Sequence, residues 1–445
     1  MFDFLSLDVI GLGGMTIIAL VLLFGLMLTG MALSWVTMTV AAVLLLVWIG
    51  PKGISLISLK VYGLSTAYVF VSIPIFIFMA SLMERTSIAK DLFAAMQVIS
   101  GNFRGGTAVQ TVLVSVVLAA MSGIMGGEVV LLGLLALPQM IKLGYNRGLS
   151  IGTICAGGSL GTMIPPSIVL ILFGLAANIS VGDLFKAAIT PGLLLAASYI
   201  TYILIMANLK PHWAPTSSED AELSKLSFRE KAKIASGMIV PLLIITAVLG
   251  SIYGGVASIT ESASIGAFSV MLFAALRREL SFKVVTESLR QTITSIGALI
   301  WLGLGANALV GIYTRLGGTA YLGELFTGLP FEPIVIVMIM VGIFLLMGMF
   351  LDWVGILLLT IPIFIPIVKD LGFDPVWFGI LFSISIQVAF LSPPFGPATF
   401  YLKSVAPPDV TLEEIYKSTL PFVCIQITVL GLVLAFPQIA LWILD

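Results

Sequence analysis

The chain has 445 residues, of which 59% are hydrophobic and 10% are charged, and its formal net charge at pH 7 is −1. A soluble domain of this length cannot bury so much apolar surface, so the composition excludes a water-soluble protein and predicts an all-α polytopic protein of the lipid bilayer. The near-zero net charge gives no reason to expect a nucleic-acid partner.

Residues that commonly carry chemistry are scarce. His212 is the single histidine, and Cys155 and Cys424 lie in apolar segments, which argues against zinc, redox and disulfide chemistry. No serine–lysine or paired-aspartate motif lies in the apolar segments, so Glu128 and Asp352 are the only candidates for a catalytic pair. We therefore expect a protein that is not an enzyme.

Apolar segments long enough to cross a bilayer recur along the whole chain. Each reaches or exceeds the roughly 20 residues that a spanning helix needs. They lie at residues 9–51, 61–83, 187–209, 234–260 and 291–313. With re-entrant segments included, we expect about eleven crossings or their equivalents. The N-terminus has no basic stretch before its apolar run, so the first helix, from Val9 onward, is expected to remain uncleaved.

A polar linker at residues 210–233 separates an N-terminal half, 1–209, from a C-terminal half, 234–445. Most lysines and arginines fall in this linker, in the loop at 277–290, or in loops that alternation places on the same side. The linker is therefore expected to be cytoplasmic and the N-terminus periplasmic or extracellular.

The two halves repeat one pattern of residues. Glu128, Pro138, Gly144 and the pair Pro165-Pro166 recur, at nearly constant offset, as Asp352, Pro362, Gly372 and Pro393-Pro394. About five crossings are predicted between the two copies. An odd number inverts the second copy, and inverted-topology repeats are typical of secondary transporters.

Each copy begins with two apolar arms around a glycine-rich turn. The first pair spans about 107–141, with its turn, the first tip, at residues 121–128. The second spans about 333–368, with the second tip at 348–352. The arms of the first pair have 13 to 14 residues and reach roughly 20 Å, so a re-entrant helical hairpin fits better than two crossings. Two long kinked helices remain the alternative.

Each copy continues with a helix that its proline pair must break, at about 150–178 and 375–403. A terminal helix is expected at about 420–443. Hydroxyls, an amide and freed backbone carbonyls beside the breaks are oxygen ligands that a hard cation such as sodium prefers. The candidate ion and substrate ligands at the tips and breaks are Ser122, Gly123, Gly126, Gly127, Glu128, Gly158, Ser159, Thr162, Pro165, Pro166, Gly348, Asp352, Gln387, Ser392, Pro393, Pro394, Gly396 and Thr399.

Three carboxylates lie deep in apolar sequence, where an ionisable group needs a partner, a cavity or an ion. Glu128 and Asp352 lie at the tips, where they could bind a cation or cap the opposite backbone. Glu261 lies outside the repeated pattern, and a role at the start of a helix is favoured for it.

Taken together, the runs at 143–145, 157–167, 255–262 and 378–397 resemble the large membrane subunit of tripartite ATP-independent periplasmic (TRAP) transporters, over nearly the whole chain. The resemblance implies a sodium-driven elevator-type importer in a bacterial or archaeal inner membrane, with sodium near Ser122, Gly158, Thr162, Asp352, Ser392 and Thr399. No cofactor is implied besides the coupling ions. Its implied partners are a small four-helix membrane subunit, a periplasmic substrate-binding protein and a small organic anion.

Two departures from the family pattern affect the implied ligands. Many relatives carry a Ser-Gly-Ser-Ser run at the first tip, where this chain has Ser122-Gly123 followed by apolar residues and Glu128. Ser385 stands where an asparagine is common, with Gln387 close by. The first tip resembles the branch of 2-oxo acid, mannitol and chloroaromatic acid systems, which favours a small monocarboxylate. A stand-alone sodium/anion symporter of the divalent-anion type, or a channel, are the alternatives.

Overall fold

The computed structural model describes residues 7–100, 103–123, 126–215 and 227–444, and these residues form helices and no strand. Within this part of the chain, eight helical segments are long and apolar enough to cross a membrane. They lie at 9–28, 68–85, 181–209, 228–253, 259–276, 282–315, 353–370 and 412–435. Composition and architecture agree on a polytopic helical membrane protein.

The N-terminal half contains ten of the helices that the structure describes. They are α1 (Leu7–Leu28), α2 (Leu33–Trp48), α3 (Ile54–Ser65), α4 (Ser72–Arg85), α5 (Ile88–Ser100), α6 (Gly106–Ser122), α7 (Gly127–Lys142), α8 (Arg147–Ser159), α9 (Ile168–Ala177) and α10 (Val181–Leu209). The helices that follow are α11 (Phe228–Ala235), α12 (Ile239–Tyr253), α13 (Ile259–Leu276), α14 (Phe282–Arg315), α15 (Gly318–Thr327), α16 (Pro333–Gly348), α17 (Trp353–Asp370), α18 (Pro375–Leu391), α19 (Pro397–Val405), α20 (Leu412–Ala435) and α21 (Gln438–Leu441).

One group of helices packs around the long helix α14, which contacts α2, α3 and α4. Gly305 allows α14 to approach α2, since a Cβ there would lie 2.7 Å from the carbonyl oxygen of Ser34. Trp35 and Trp301 meet edge to face across the same interface, with ring centroids 5.3 Å apart. We call α1–α4 and α12–α14 the scaffold group.

A second group, α6–α10 with α16–α20, surrounds the central helices α8 and α18. Residues 149–159 of α8 and 377–391 of α18 are buried throughout. Full burial explains why neither helix has an apolar stripe: every face meets another helix rather than water. We call these helices the central group.

Two segments depart from their expected bounds. The terminal helix α20 begins at Leu412 rather than near 420, because Thr411 caps it by accepting a hydrogen bond from the Glu414 amide at 3.1 Å. It ends at Ala435, before Phe436 and Pro437. The linker is partly helical, since Ser227 and Glu230 form a capping box that starts α11, whereas its residues 216–226 lie outside the described part.

Candidate functional site

The first tip connects α6 to α7 through glycines, and Ile124 and Met125 lie outside the described residues. Gly123 ends α6 in the left-handed region, with φ 59°. Its carbonyl accepts a hydrogen bond from the Ile168 amide at 3.3 Å, and a Cβ at Gly123 would overlap the Pro166 carbonyl oxygen. The tip therefore docks directly on the first break (residues 163–167), and only glycine fits there.

Glu128 lies one residue into α7 and is enclosed by protein, with 2% of its surface exposed. The Ser122 hydroxyl donates a hydrogen bond to its Oε1, and the carboxyl group faces Gly161, where a Cβ would lie 2.8 Å from Oε1. Its Oε2 is buried with no hydrogen-bond partner among the described residues. A buried carboxylate oxygen that is left over in this way can serve as a cation ligand.

The first break brings helices of both halves together at Thr162. The Thr162 carbonyl accepts hydrogen bonds from the hydroxyls of Ser167 at 2.6 Å and Ser383 at 2.9 Å. The Thr162 hydroxyl donates to the Ser159 carbonyl at 3.0 Å. Gly158 packs so tightly against Val129 of α7 that a Cβ would overlap its side chain. Ser122, Glu128, Gly158 and Thr162 thus lie around one junction between α6, α7 and α8.

The second tip has a different local structure. Gly348 ends α16 against Ala389 of α18, leaving no room for a Cβ. Asp352 caps α17, because its Oδ2 accepts a hydrogen bond from the Val354 amide at 3.1 Å. Unlike Glu128, Asp352 is exposed.

The second break (residues 392–396) uses up much of its hydrogen-bonding capacity internally. The Ser392 and Thr399 hydroxyls each donate to a nearby carbonyl, Val388 and Gly396 respectively, at 2.7 Å. Tyr416 donates to the Pro394 carbonyl at 2.8 Å. Both prolines of this break are exposed, whereas Pro165 and Pro166 of the first break are buried.

Gln387 is the predicted site residue of the second half whose side chain stays unsatisfied. It is fully buried in α18, and neither its amide nitrogen nor its amide oxygen has a partner among the described residues. The two breaks are therefore not equivalent: the first presents backbone and hydroxyl groups of several helices, and the second presents one buried amide.

Both tips face one central cavity of about 280 Å³. Gly123 contributes from the first tip and Asp352 from the second. The opposite wall belongs to the scaffold group, through Ser295, Leu299 and Leu302 of α14.

Some predicted site residues lie away from this cavity. Ser159 faces α20 instead, where its hydroxyl accepts a hydrogen bond from the Gln426 amide at 3.2 Å. Of the predicted site residues, all of which the structure describes, Gly123 and Asp352 line the cavity. The others do not, including Ser392, Pro393, Pro394 and Thr399 of the second half and Ser122, Glu128, Gly158 and Thr162 of the first. The structure thus gathers the residues at the first tip and the first break more closely than those at the second break.

Two residues near the site were not predicted from sequence. Glu84 of α4 contacts Gly127 so closely that a Cβ there would overlap its carboxylate. In the sequence it lies beside Arg85, a pattern typical of charged residues at a helix end. Tyr401 of α19 lines the cavity, and its ring atoms lie 2.8 Å from where a Gly126 Cβ would be. A single tyrosine in an apolar segment gives no signal in the sequence.

Glu261 has the expected role at the start of a helix. Its side chain accepts a hydrogen bond from the Ser258 amide at 2.7 Å, and its own amide donates to the Ser258 hydroxyl at 3.3 Å. This reciprocal pair is a capping box that begins α13. The helix-start role favoured for Glu261 is therefore confirmed.

The fold defines a class: a polytopic helical membrane protein with interrupted helices around a central cavity, an arrangement typical of secondary transporters. The family model described as "Tripartite ATP-independent periplasmic transporter, DctM component" matches residues 20–439. The chain belongs to this family, whose members are transporter permeases.

Curated relatives agree with this assignment. The C4-dicarboxylate TRAP transporter large permease protein DctM of Vibrio cholerae is 28% identical, over 95% of this chain and 96% of its own length. The ectoine/5-hydroxyectoine TRAP transporter large permease protein UehC of Ruegeria pomeroyi is also 28% identical, over 84% of this chain and 86% of its own. Their names do not support the expected 2-oxo acid, mannitol and chloroaromatic branch.

A solved structure shares the fold. The YdaH transporter of Alcanivorax borkumensis superposes with a TM-score of 0.62 over 90% of this chain and 95% of its own, at 13% identity. At this identity the similarity concerns the helical architecture alone.

Proposed function

We propose that this chain is the large transmembrane subunit of a sodium-coupled, binding-protein-dependent secondary importer of small organic anions. The observation that carries the proposal is the central cavity, which two glycine-containing tips face from one side and α14 from the other. Tips built from interrupted helices are where secondary transporters bind substrates and coupling ions.

One sodium ion would bind at the first tip and first break. Glu128 supplies an unpaired carboxylate oxygen, and Ser122, Gly158 and Thr162 lie at the same junction. Carboxylate, hydroxyl and carbonyl oxygens suit a hard cation. A negative charge that is enclosed by protein also needs a positive partner.

A second sodium ion would bind at the second tip. Backbone groups of residues 348–352 and the unsatisfied amide oxygen of Gln387 are the best donors for it. Ser392, Gly396 and Thr399 could contribute only after the hydrogen bonds at the second break rearrange.

Sodium and substrate would raise each other's affinity, because the described lining of the cavity contains no lysine or arginine to balance an anion. Bound sodium supplies positive charge, and the substrate in turn stabilises the sodium-bound tips. This reciprocity is thermodynamic linkage, and it couples the two fluxes.

The moving body in this proposal is the central group, which would slide as an elevator against the scaffold group. The related halves of the sequence would form inverted repeats, each contributing one hairpin and one broken helix. Such a relation allows two alternating conformations from one duplicated unit.

The complex would lie in a bacterial inner membrane, with the N-terminus periplasmic and residues 210–233 cytoplasmic. A small four-helix membrane subunit would widen the scaffold, and a periplasmic binding protein would deliver the substrate. Names of relatives extend from C4-dicarboxylates to ectoines, so the substrate is expected to be a small solute that carries a carboxylate.

A sodium-binding measurement tests the first ion site directly. The midpoint of thermal unfolding in lipid nanodiscs should rise when sodium replaces potassium, because an ion that binds only the folded state stabilises it. Glu128→Gln keeps the side-chain shape and should raise the sodium concentration needed for half of this effect by about tenfold.

Glu261→Gln is the matched control, because Glu261 is used in a capping box. It should leave the sodium concentration for half-effect unchanged. An identical sodium response in the Glu128→Gln variant and the unmodified chain would remove Glu128 from the ion site.

A further inference from the structure

The central cavity has an unusual chemical lining for a protein that carries anions. Among its described lining residues, Asp352 is the single charged side chain, and none is basic. Trp353, Phe390 and Tyr401 give it three aromatic side chains. A carboxylate and aromatic rings both attract positive charge, so this lining suits a ligand that carries a positive group besides its carboxylate.

Asp352 is available to a ligand in the cavity. One of its oxygens holds the cap of α17 through the Val354 amide, and its side chain is exposed. Among the described residues, no lysine or arginine forms an ion pair with it. Its charge is therefore not neutralised by a basic side chain.

The aromatic residues line the same cavity as this carboxylate. Tyr401 is 42% exposed. The centroids of the Tyr401 and Phe390 rings are 6.2 Å apart, and the ring planes are tilted by 37° to each other. Trp353 follows Asp352 directly. Aromatic rings next to a carboxylate are the recognised means of binding alkylated ammonium groups, since both attract positive charge and neither requires a hydrogen bond.

We infer that the substrate is a zwitterion: a small carboxylate that also carries an alkylammonium group. The positive group would lie between Asp352 and the aromatic rings, and the carboxylate would lie toward Gly123 at the first tip. This inference rests on the proposed function and specifies its substrate class. A dicarboxylate would place a second negative charge beside Asp352, where the two repel each other.

Two probes of nearly equal shape isolate the positive charge. Glycine betaine carries a trimethylammonium group on acetate, and 3,3-dimethylbutyrate carries a tert-butyl group in the same place. Binding of each to the full chain in lipid nanodiscs, in sodium buffer, is measured by isothermal titration. Glycine betaine should bind about tenfold more tightly.

Asp352→Asn tests the assigned residue. Asparagine still caps a helix, so the fold should persist. The preference for glycine betaine should disappear, so that the two probes bind with about equal affinity. Asp374→Asn is the matched control: Asp374 caps α18 through the Val376 amide at 2.6 Å but does not line the cavity. This control should keep the tenfold preference.

Equal or tighter binding of 3,3-dimethylbutyrate would overturn the zwitterion inference. So would binding of succinate or pyruvate without binding of glycine betaine, although that result would leave the proposed anion importer intact. A preference that survives in the Asp352→Asn variant would overturn the role of Asp352. A chain that binds no carboxylate of any kind in sodium would contradict both the inference and the proposed function.

Discussion

Single residues determine how closely the first tip can approach the first break. Gly123 adopts φ 59° and leaves no space for a side chain against the Pro166 carbonyl. Glu128 then lies against Gly161, with one oxygen unpaired. Small residues here bring a buried carboxylate and polar backbone groups together. Inside a membrane protein such groups are tolerated only where they bind something or line a cavity.

Gly123→Ala should therefore weaken the site. The left-handed conformation alone costs about 1 kcal/mol for alanine, and the overlap with Pro166 adds to this cost. We expect a lower midpoint of thermal unfolding in nanodiscs and weakened stabilisation by sodium.

Gly342→Ala is the control for this change. Gly342 is exposed inside α16, and no neighbouring atom lies within 4 Å of the point that a Cβ would occupy. Alanine is favoured over glycine in a helix interior by about 1 kcal/mol, so stability should stay equal or rise. A Gly123→Ala variant as stable and as sodium-responsive as the Gly342→Ala variant would contradict the tight docking of the first tip.

Whole elements differ in how well the sequence predicts them. The short arms and the proline-broken helices can be predicted from sequence, because glycine and proline restrict or free the backbone conformation at their own positions. The start of α20 at Leu412 depends on the Thr411 cap, a weaker local signal that hydropathy misses. The contacts of Glu84 and Tyr401 with the first tip depend on tertiary packing, so no local pattern could predict them.

The capping box at the start of α13 should contribute to the stability of the protein. Ser258→Ala should lower the free energy of unfolding by about 1 kcal/mol, because the Glu261 amide at the helix start loses the hydroxyl that accepts its hydrogen bond. Denaturant or thermal unfolding in nanodiscs measures the loss. Ser269→Ala, at a partly exposed mid-helix position of α13, should change stability little. Equal effects of the two substitutions would show that the capping box contributes nothing.

At the scale of the whole molecule, the central group meets the scaffold group where Glu84 of α4 contacts Gly127 at the start of α7. Within the scaffold, Arg85 of α4 lies 3.7 Å from Glu287 of α14, measured from Nε to Oε2. An elevator movement must break the first contact and can preserve the second. The two contacts therefore distinguish sliding of one group from rearrangement within the scaffold.

A reducible cross-link tests that difference. In a Cys424→Ser background, which removes an exposed thiol, cysteines replacing Glu84 and Gly127 are joined by a bis-methanethiosulfonate reagent. Uptake should stop and return after reduction. The same treatment of cysteines replacing Arg85 and Glu287 should leave uptake intact. Full uptake with the 84–127 cross-link in place would contradict an elevator movement of the first tip against α4.

Sodium-coupled, binding-protein-dependent import is tested most directly by measuring uptake of a radiolabelled small carboxylate. The proteoliposomes hold this chain and its small membrane subunit. The binding protein and an inward sodium gradient are each supplied or withheld. Uptake is expected only when both are present. Equal uptake without sodium, or sodium-driven uptake without the binding protein, would contradict a sodium-coupled, binding-protein-dependent importer.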